Sequence, residues 1–227
     1  MHVVDHIFIF LLFAVYPVAS TWSYRREVRR IEVGAPADRI SMYLWTGITE
    51  WLALAVLLGA WFWLERPFSD LGFVTPEGTG VYIGIALLVV LSALQLLRGR
   101  KVEQLTESER KEQVESVGKL VYFLPHTRQE VNALYGLSLT AGIVEEIIYR
   151  GFVIWYLSLF MPMLSAVLVS SVIFGASHSY QGVSGAVKCG LIGLAFAGLY
   201  LLTGSIWLPM LGHFLFDALQ APVADRD

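Results

Sequence analysis

The sequence predicts an all-α fold: a polytopic transmembrane bundle of about seven or eight helices with one interfacial amphipathic helix. Of the 227 residues, 56% are hydrophobic and only 15% are charged, and the mean hydropathy is +0.62. Soluble domains usually carry about 25% charged residues, so most of this chain is expected to face lipid. The apolar residues also form runs near the roughly 20 helical residues that a bilayer core requires.

Seven apolar runs are candidate spans. They cover residues 6–20, 41–64, 80–97, 134–160, 163–177, 187–202 and 205–220. The fifth and seventh runs are short, and we expect them to be tilted or partly submerged. The first run is similar to the apolar core of a signal peptide, but the residues before it lack Lys and Arg. Because arginines follow it directly, we interpret it as a retained membrane anchor.

Basic residues predict the orientation. Five arginines flank the first two runs, namely Arg25, Arg26, Arg29, Arg30 and Arg39, and segment 98–132 is also basic, whereas segment 65–79 holds only Arg66. Cytoplasmic loops carry an excess of Lys and Arg, so the first and third connections are predicted to be cytoplasmic. Within the third, residues 108–124 place apolar side chains at helical spacing. We expect an interfacial amphipathic helix there, with a solvated charged linker as the alternative.

The distribution of ionisable residues predicts the organisation of the chain. The first three runs contain few of them, chiefly Glu50, which we interpret as a structural polar contact, with a role at the substrate entrance as the alternative. We therefore predict a scaffold and linker over 1–123, a functional core over 124–220 and a tail over 221–227. The net charge of -3 argues against a nucleic-acid partner. Cys189, a single cysteine, is assigned to helix packing.

Six polar residues in the last four runs predict buried chemistry. They are Glu145, Glu146, Arg150, His178, His213 and Asp217. A charge at the centre of a bilayer costs roughly 2.5–3.5 kcal/mol, so each residue is a functional candidate. Glu146 and Arg150 are spaced i, i+4 and are predicted to pair. Glu145 lies about 100° further round the helix, which leaves its carboxylate without that partner.

His213 and Asp217 also share a helix face at i, i+4. Alternating spans would bring Glu145, His178 and His213 together in the cytoplasmic half of the membrane. A carboxylate and two imidazoles suit peptide hydrolysis, which requires a base for water and donors for the oxyanion. The same three side chains also form a catalytic zinc ligand set with one open position. The sequence leaves both versions open.

Three motifs carry a family resemblance. They are Glu145-Glu146-x-x-x-Arg150, Phe174-x-x-x-His178 and His213-x-x-x-Asp217. In this order, on successive membrane helices, they resemble the motifs of the CPBP family of intramembrane proteases, which includes the type II CAAX prenyl endopeptidases and their bacterial relatives. The resemblance covers residues 124–220.

The resemblance implies a role for each residue. Glu145 and His178 would activate the attacking water, and His213 with Asp217 would stabilise the oxyanion. Glu146 and Arg150 would organise the site. If the protease is metal-assisted, Glu145, His178 and His213 would hold a divalent metal such as Zn²⁺.

The resemblance also implies partners and a location. Substrates would be membrane-associated proteins or peptides, including prenylated CAAX proteins, cut from the cytoplasmic side of a prokaryotic plasma membrane. Bacterial relatives are also associated with bacteriocin maturation and self-immunity.

The sequence also suggests alternative functions. Gly182, Ser184 and Gly185 form a GxSG sequence similar to that of rhomboid serine proteases, but we favour the interpretation of these residues as a flexible turn before the sixth run. An aspartyl protease needs two buried aspartates, and only Asp217 is available. The alternatives from other classes are a proton-coupled transporter and a non-catalytic membrane partner or immunity scaffold.

Overall fold

The chain is a bundle of helices in the computed structural model, which describes residues 1–109, 112 and 118–220. The helices are α1 Val3–Phe10, α2 Tyr16–Glu32, α3 Arg39–Trp63, α4 Thr79–Glu103, α5 Arg128–Glu146, α6 Ile154–Ser158, α7 Met163–Ser177, α8 Gly182–Thr203 and α9 Trp207–Gln220. Two π-helical segments, Leu11–Val15 and Ile147–Val153, join α1 to α2 and α5 to α6. Short 3-10 helices cover Phe68–Leu71, Gly118–Phe123 and Ser179–Gln181.

Four of these helical segments are long and apolar enough to cross a membrane. They are Val3–Glu32, Arg39–Trp63, Thr79–Lys101 and Ser179–Thr203. Their length and composition suit an integral membrane protein, and the all-helical bundle predicted from the sequence is confirmed. Within the predicted amphipathic helix at 108–124, residues 110, 111 and 113–117 lie outside the described residues. Residues 108, 109 and 112 are helical, and Gly118–Phe123 form a 3-10 helix. The predicted tail at 221–227 lies wholly outside them.

The three remaining predicted spans pack closely against other helices of the bundle. Helix α5 packs between α3 and α9, α7 packs against α8, and α9 also contacts α4 and α8. The core beside α5 contains Trp61, Leu71, Val144, Phe152 and Phe174. Because its neighbours cover it, α5 can carry charged residues at low cost, and α7 and α9 can be short.

Glycines allow the inner helices to approach closely. A Cβ at Gly142 of α5 would lie 2.9 Å from the backbone nitrogen of Phe214 in α9, and a Cβ at Gly175 of α7 would lie 2.6 Å from the carbonyl oxygen of Ala186 in α8. Membrane helices pack by such small-residue contacts. Gly142 therefore holds the end of α5 against α9, one turn from the paired glutamates.

Local hydrogen bonds fix the beginnings of two helices. Thr127 and Glu130 form a capping box at the start of α5, in which Glu130 accepts from the Thr127 N–H at 2.9 Å and donates its own N–H to the Thr127 hydroxyl at 3.2 Å. Asp38 caps α3 by accepting from Ser41. The Ser41 hydroxyl and N–H hold the pKa of the Asp38 carboxyl below its usual value.

The N-terminal helical segment Val3–Glu32, which comprises α1, the first π-helical segment and α2, is held against the bundle at both ends. At one end, Arg66 donates two hydrogen bonds of 2.7 Å to the buried carboxylate of Asp5. At the other end, Tyr24 stacks on Phe123 with ring centroids 4.9 Å apart, and the Tyr43 hydroxyl donates to the Phe123 carbonyl. The middle of this helix, around Tyr16, therefore stays beside the glutamates of α5.

Candidate active site

Glu146 is the centre of a buried hydrogen-bonded cluster at the end of α5. Its Oε1 accepts a hydrogen bond of 2.6 Å from Nη1 of Arg150 and lies 2.7 Å from Nδ1 of His213. The sequence predicted the first contact from helical spacing. It missed the second because that contact joins residues 67 positions apart. The other oxygen, Oε2, is buried with no hydrogen-bond partner in the described part of the chain.

The Arg150 guanidinium is held by groups of α7 and α8 as well as by Glu146 of α5. Its Nη2 donates to the Gly193 carbonyl of α8 at 2.8 Å, and its Cζ lies 4.6 Å from the Phe174 ring centroid and 5.5 Å from that of Phe196. A Cβ at Gly193 would be 2.8 Å from Phe174 and 3.2 Å from Nη2. Glycine at this position therefore leaves room for the guanidinium against the backbone of α8.

The His213 imidazole is held by aromatic rings and carboxylates. Its ring stacks on Phe196 at a centroid distance of 4.9 Å and meets Phe174 edge-on at 6.0 Å. Because Glu146 is an acceptor, Nδ1 is assigned as the donor to it. Nε2 then points toward two further carboxylates, with Oδ2 of Asp217 at 3.5 Å and Oε2 of Glu145 at 3.8 Å.

Glu145 carries the free carboxylate of the cluster. Its side chain is 13% exposed, and in the described part of the chain its closest ionic partner is His213. The hydroxyl groups of Tyr16, Tyr149 and Tyr180 lie within electrostatic range of it. The motif spacing did not point to these tyrosines as site residues, although Tyr149 adjoins Arg150 and Tyr180 lies two residues after His178.

His178 lies beside the cluster, on the far end of α7. Its Nδ1 is 2.8 Å from the Phe174 carbonyl oxygen, and its ring lies 4.7 Å from that of Phe174. Phe174 thus contacts both imidazoles. Among the described residues, no carboxylate comes within 4.0 Å of His178. Of the predicted meeting of Glu145, His178 and His213, the structure places only Glu145 and His213 in contact.

The side chains predicted as zinc ligands are not arranged as a ligand set. In the ranges that the structure describes, no three His, Cys, Asp or Glu side chains are grouped closely enough to hold a metal ion. The predicted ligands Glu145 and His213 are neighbours, but His178 is turned toward the Phe174 carbonyl. The set as arranged does not fit a metal, and we assign no chemical step to one.

The serine of the GxSG sequence does not join the cluster. Ser184 is exposed in the first turn of α8, and within the described residues it forms no hydrogen bond to a histidine. This arrangement is typical of a helix start and gives the rhomboid alternative no support.

Fold and site together define a class: a polytopic membrane protein with a polar cluster of Glu, His, Arg and Asp enclosed by its helices. Residues 127–219 match the family model described as type II CAAX prenyl endopeptidase Rce1-like. The chain therefore carries a region similar to the type II CAAX prenyl endopeptidases over residues 127–219, as the three motifs predicted. No curated protein and no solved structure matches the chain significantly.

Proposed function

We propose that the protein hydrolyses a peptide bond of a membrane-associated substrate with a water molecule activated by Glu145. The observation that supports this proposal is the position of Glu145: its carboxylate is unpaired by Arg150 and lies 3.8 Å from His213, inside the helix bundle. A carboxylate in this setting can accept a proton from water. A low-dielectric enclosure also strengthens the interactions that stabilise a developing oxyanion.

The proposed reaction needs two proton transfers. Glu145 takes a proton from water while the water oxygen forms a bond to the carbonyl carbon. The carbonyl π electrons move to oxygen and give the tetrahedral oxyanion. As the C–N bond breaks, the proton moves from Glu145 to the leaving nitrogen, so that acid and amine are formed and the carboxylate is restored. His178 would assist by orienting the water.

His213 is the proposed oxyanion donor. In its protonated form, Nδ1 donates to Glu146, and Nε2, which faces Asp217 and Glu145 in the free protein, would donate to the oxyanion. Glu146 and Arg150 have a positioning role, because Glu146 fixes the imidazole and Arg150 fixes Glu146. Asp217 would keep the imidazole charged until the oxyanion forms.

The substrate class follows from the family and from the location of the site. Peptides would be membrane-associated, with C-terminal CAAX sequences as the first candidates and prenylation as an additional determinant. The positive-inside rule supports a cytoplasmic α2–α3 loop, because this connection is rich in arginine. Substrates would then be cut from that side of a prokaryotic plasma membrane.

The test is cleavage of a panel of peptides by purified protein in liposomes. The panel contains CAAX peptides with and without a farnesyl group and unmodified transmembrane peptides. Wild type is compared with Glu145→Ala, and the exposed Glu77→Gln in the α3–α4 connection is the matched control. We expect Glu145→Ala to lose at least about 10²-fold in kcat/KM, and Glu77→Gln to match wild type. Equal cleavage by Glu145→Ala would overturn the proposed role of Glu145.

A chelator separates the water mechanism from zinc catalysis. Because the side chains as arranged do not group around a metal, we expect a strong chelator to leave the cleavage rate within about twofold of its value without chelator. Loss of activity that added Zn²⁺ restores would contradict this expectation and favour Glu145, His178 and His213 as ligands.

A further inference from the structure

Glu50 of α3 faces the candidate active site from a helix that the three motifs do not include. It shares a helix face with Gly47 and Leu54, which are three residues before it and four after it. A Cβ at Gly47 would lie 3.8 Å from Thr140 of α5, and Leu54 packs in the same core as Val144. Glu50 is therefore directed toward α5 at the level of Glu145.

The Glu50 carboxyl interacts electrostatically with Glu145, His213 and Asp217. Its Oε2 is buried, yet this atom has no hydrogen-bond partner in the described part of the chain. A structural contact between helices would supply such a partner, as Arg66 does for Asp5. A buried carboxyl group without one is costly to the free protein. The unpartnered oxygen therefore favours the alternative prediction, a role of Glu50 toward the substrate.

We propose that Glu50 is a substrate-binding residue that accepts a hydrogen bond from a backbone N–H of the bound peptide; this inference rests on the proposed protease function. An extended peptide inside a membrane bundle loses the water that solvates its N–H groups, and the site must replace it with acceptors. The other acidic groups already have tasks. Glu146 binds Arg150 and His213, Asp217 lies against His213, and Glu145 is the proposed base.

The first test needs no substrate. If Glu50 is unpartnered until the peptide binds, then Glu50→Leu removes a buried polar group at little cost in volume and stabilises the free protein. We expect its Tm in detergent to rise by about 2–4 °C, the shift that 1 kcal/mol gives a chain of this size. Asp5→Asn, which breaks a partnered buried carboxylate, is the matched control and should lower Tm. A lower Tm for Glu50→Leu would overturn the proposal in favour of a structural contact.

The second test separates binding from chemistry. Loss of one hydrogen bond to the peptide should raise KM roughly tenfold in Glu50→Leu and leave kcat within about threefold. Glu50→Gln keeps an acceptor oxygen, so its KM should rise by no more than about threefold. Leu52 is 61% exposed on the lipid-facing side of the same helix. Leu52→Ala should therefore leave KM and kcat unchanged. Loss of kcat at unchanged KM in Glu50→Leu would show a role in the reaction itself and overturn the binding role.

The third test is independent of the role of Glu145. A fluorescent, S-farnesylated CAAX peptide is titrated into Glu145→Ala and into the double variant Glu145→Ala/Glu50→Leu, neither of which needs to cleave it. We expect Kd to be roughly tenfold higher in the double variant. Equal Kd values would overturn the assignment of Glu50. If instead Glu145→Ala cleaves the peptide while the Kd difference remains, the proposed base is wrong and the binding role of Glu50 stands.

Discussion

One carboxylate oxygen of Glu146 both pairs with Arg150 and orients His213. Oε1 of Glu146 is shared by the Arg150 guanidinium and Nδ1 of His213, and all three side chains are almost completely buried. Removing one partner from a buried pair usually leaves an uncompensated charge. At the residue scale, Glu146 therefore supports both the stability of the bundle and the geometry of the proposed oxyanion donor.

Glu146→Gln separates these effects from those of Glu145. The amide keeps the shape of the side chain but removes the negative charge, so Arg150 would stay buried without a counter-ion. We expect a loss of about 3–5 kcal/mol in the free energy of unfolding and a decrease of about 10²-fold in kcat/KM as His213 loses its fixed orientation. Denaturant unfolding in mixed micelles and peptide cleavage measure the two quantities.

The control for this variant is Glu77→Gln, which makes the same chemical change at an exposed position. It should alter neither quantity. If Glu146→Gln unfolds like wild type and cleaves peptide at the normal rate, then Glu146 is not the residue that positions His213.

At the scale of elements, the contact between α5 and α9 sets the distance between Glu145 and His213. Gly142 lies three residues before Glu145, and its missing side chain lets the backbones of the two helices meet at Met210 and Phe214. The two helices supply most of the cluster, whereas α8 contributes a carbonyl group and the Phe196 ring, and α7 contributes the Phe174 ring. The activity should therefore depend more on this one crossing than on the length of any span.

Gly142→Leu tests that dependence. The new side chain would force α5 and α9 apart, and a displacement of about 1 Å in an active site can cost roughly 10²-fold in rate. We expect activity to fall by at least that factor, with a lower Tm. Gly136→Leu is the matched control, because a Cβ at Gly136 meets no other atom within 4 Å; it should retain activity. Equal activity of the two leucine variants would contradict the importance of the crossing.

At the scale of the whole molecule, the arrangement of charged loops predicts how the bundle sits in the membrane. Arginines cluster at the end of α2, where Arg26, Arg29 and Arg30 lie on one open surface with Trp22 and Val33. Arginine and tryptophan at a helix end are typical of the membrane–water interface. The connection between α3 and α4 at the opposite end holds few basic residues.

Cysteine labelling measures this orientation. Val33 at the arginine-rich end is 85% exposed, and Glu77 is exposed in the α3–α4 connection. Each is replaced by cysteine, as Val33→Cys or Glu77→Cys, in a Cys189→Ser background. An impermeant maleimide added to intact spheroplasts should label Glu77→Cys at once and Val33→Cys only after permeabilisation. The reverse pattern would place the arginine-rich end outside the cell and refute the predicted topology.

The sequence by itself determined the helical membrane class and predicted the spans and the residues of the candidate site. It could do so because hydropathy reports the surrounding solvent, and because an i, i+4 spacing fixes which side chains meet on one helix, as for Glu146 with Arg150 and His213 with Asp217. Polar residues in apolar runs stand out for the same reason. These are local properties of the chain, and the order of the three motifs added the family.

Only the tertiary structure decided which helices meet and through which atoms. The bond from His213 to Glu146, the carbonyl of Gly193 beneath Arg150 and the direction of Glu50 depend on helix crossings between residues far apart in the chain. His178 is a further example, since its position in a motif did not reveal that its ring contacts the Phe174 carbonyl. Periodicity specifies a face of one helix, but the packing of small residues such as Gly142 specifies the partner of that face.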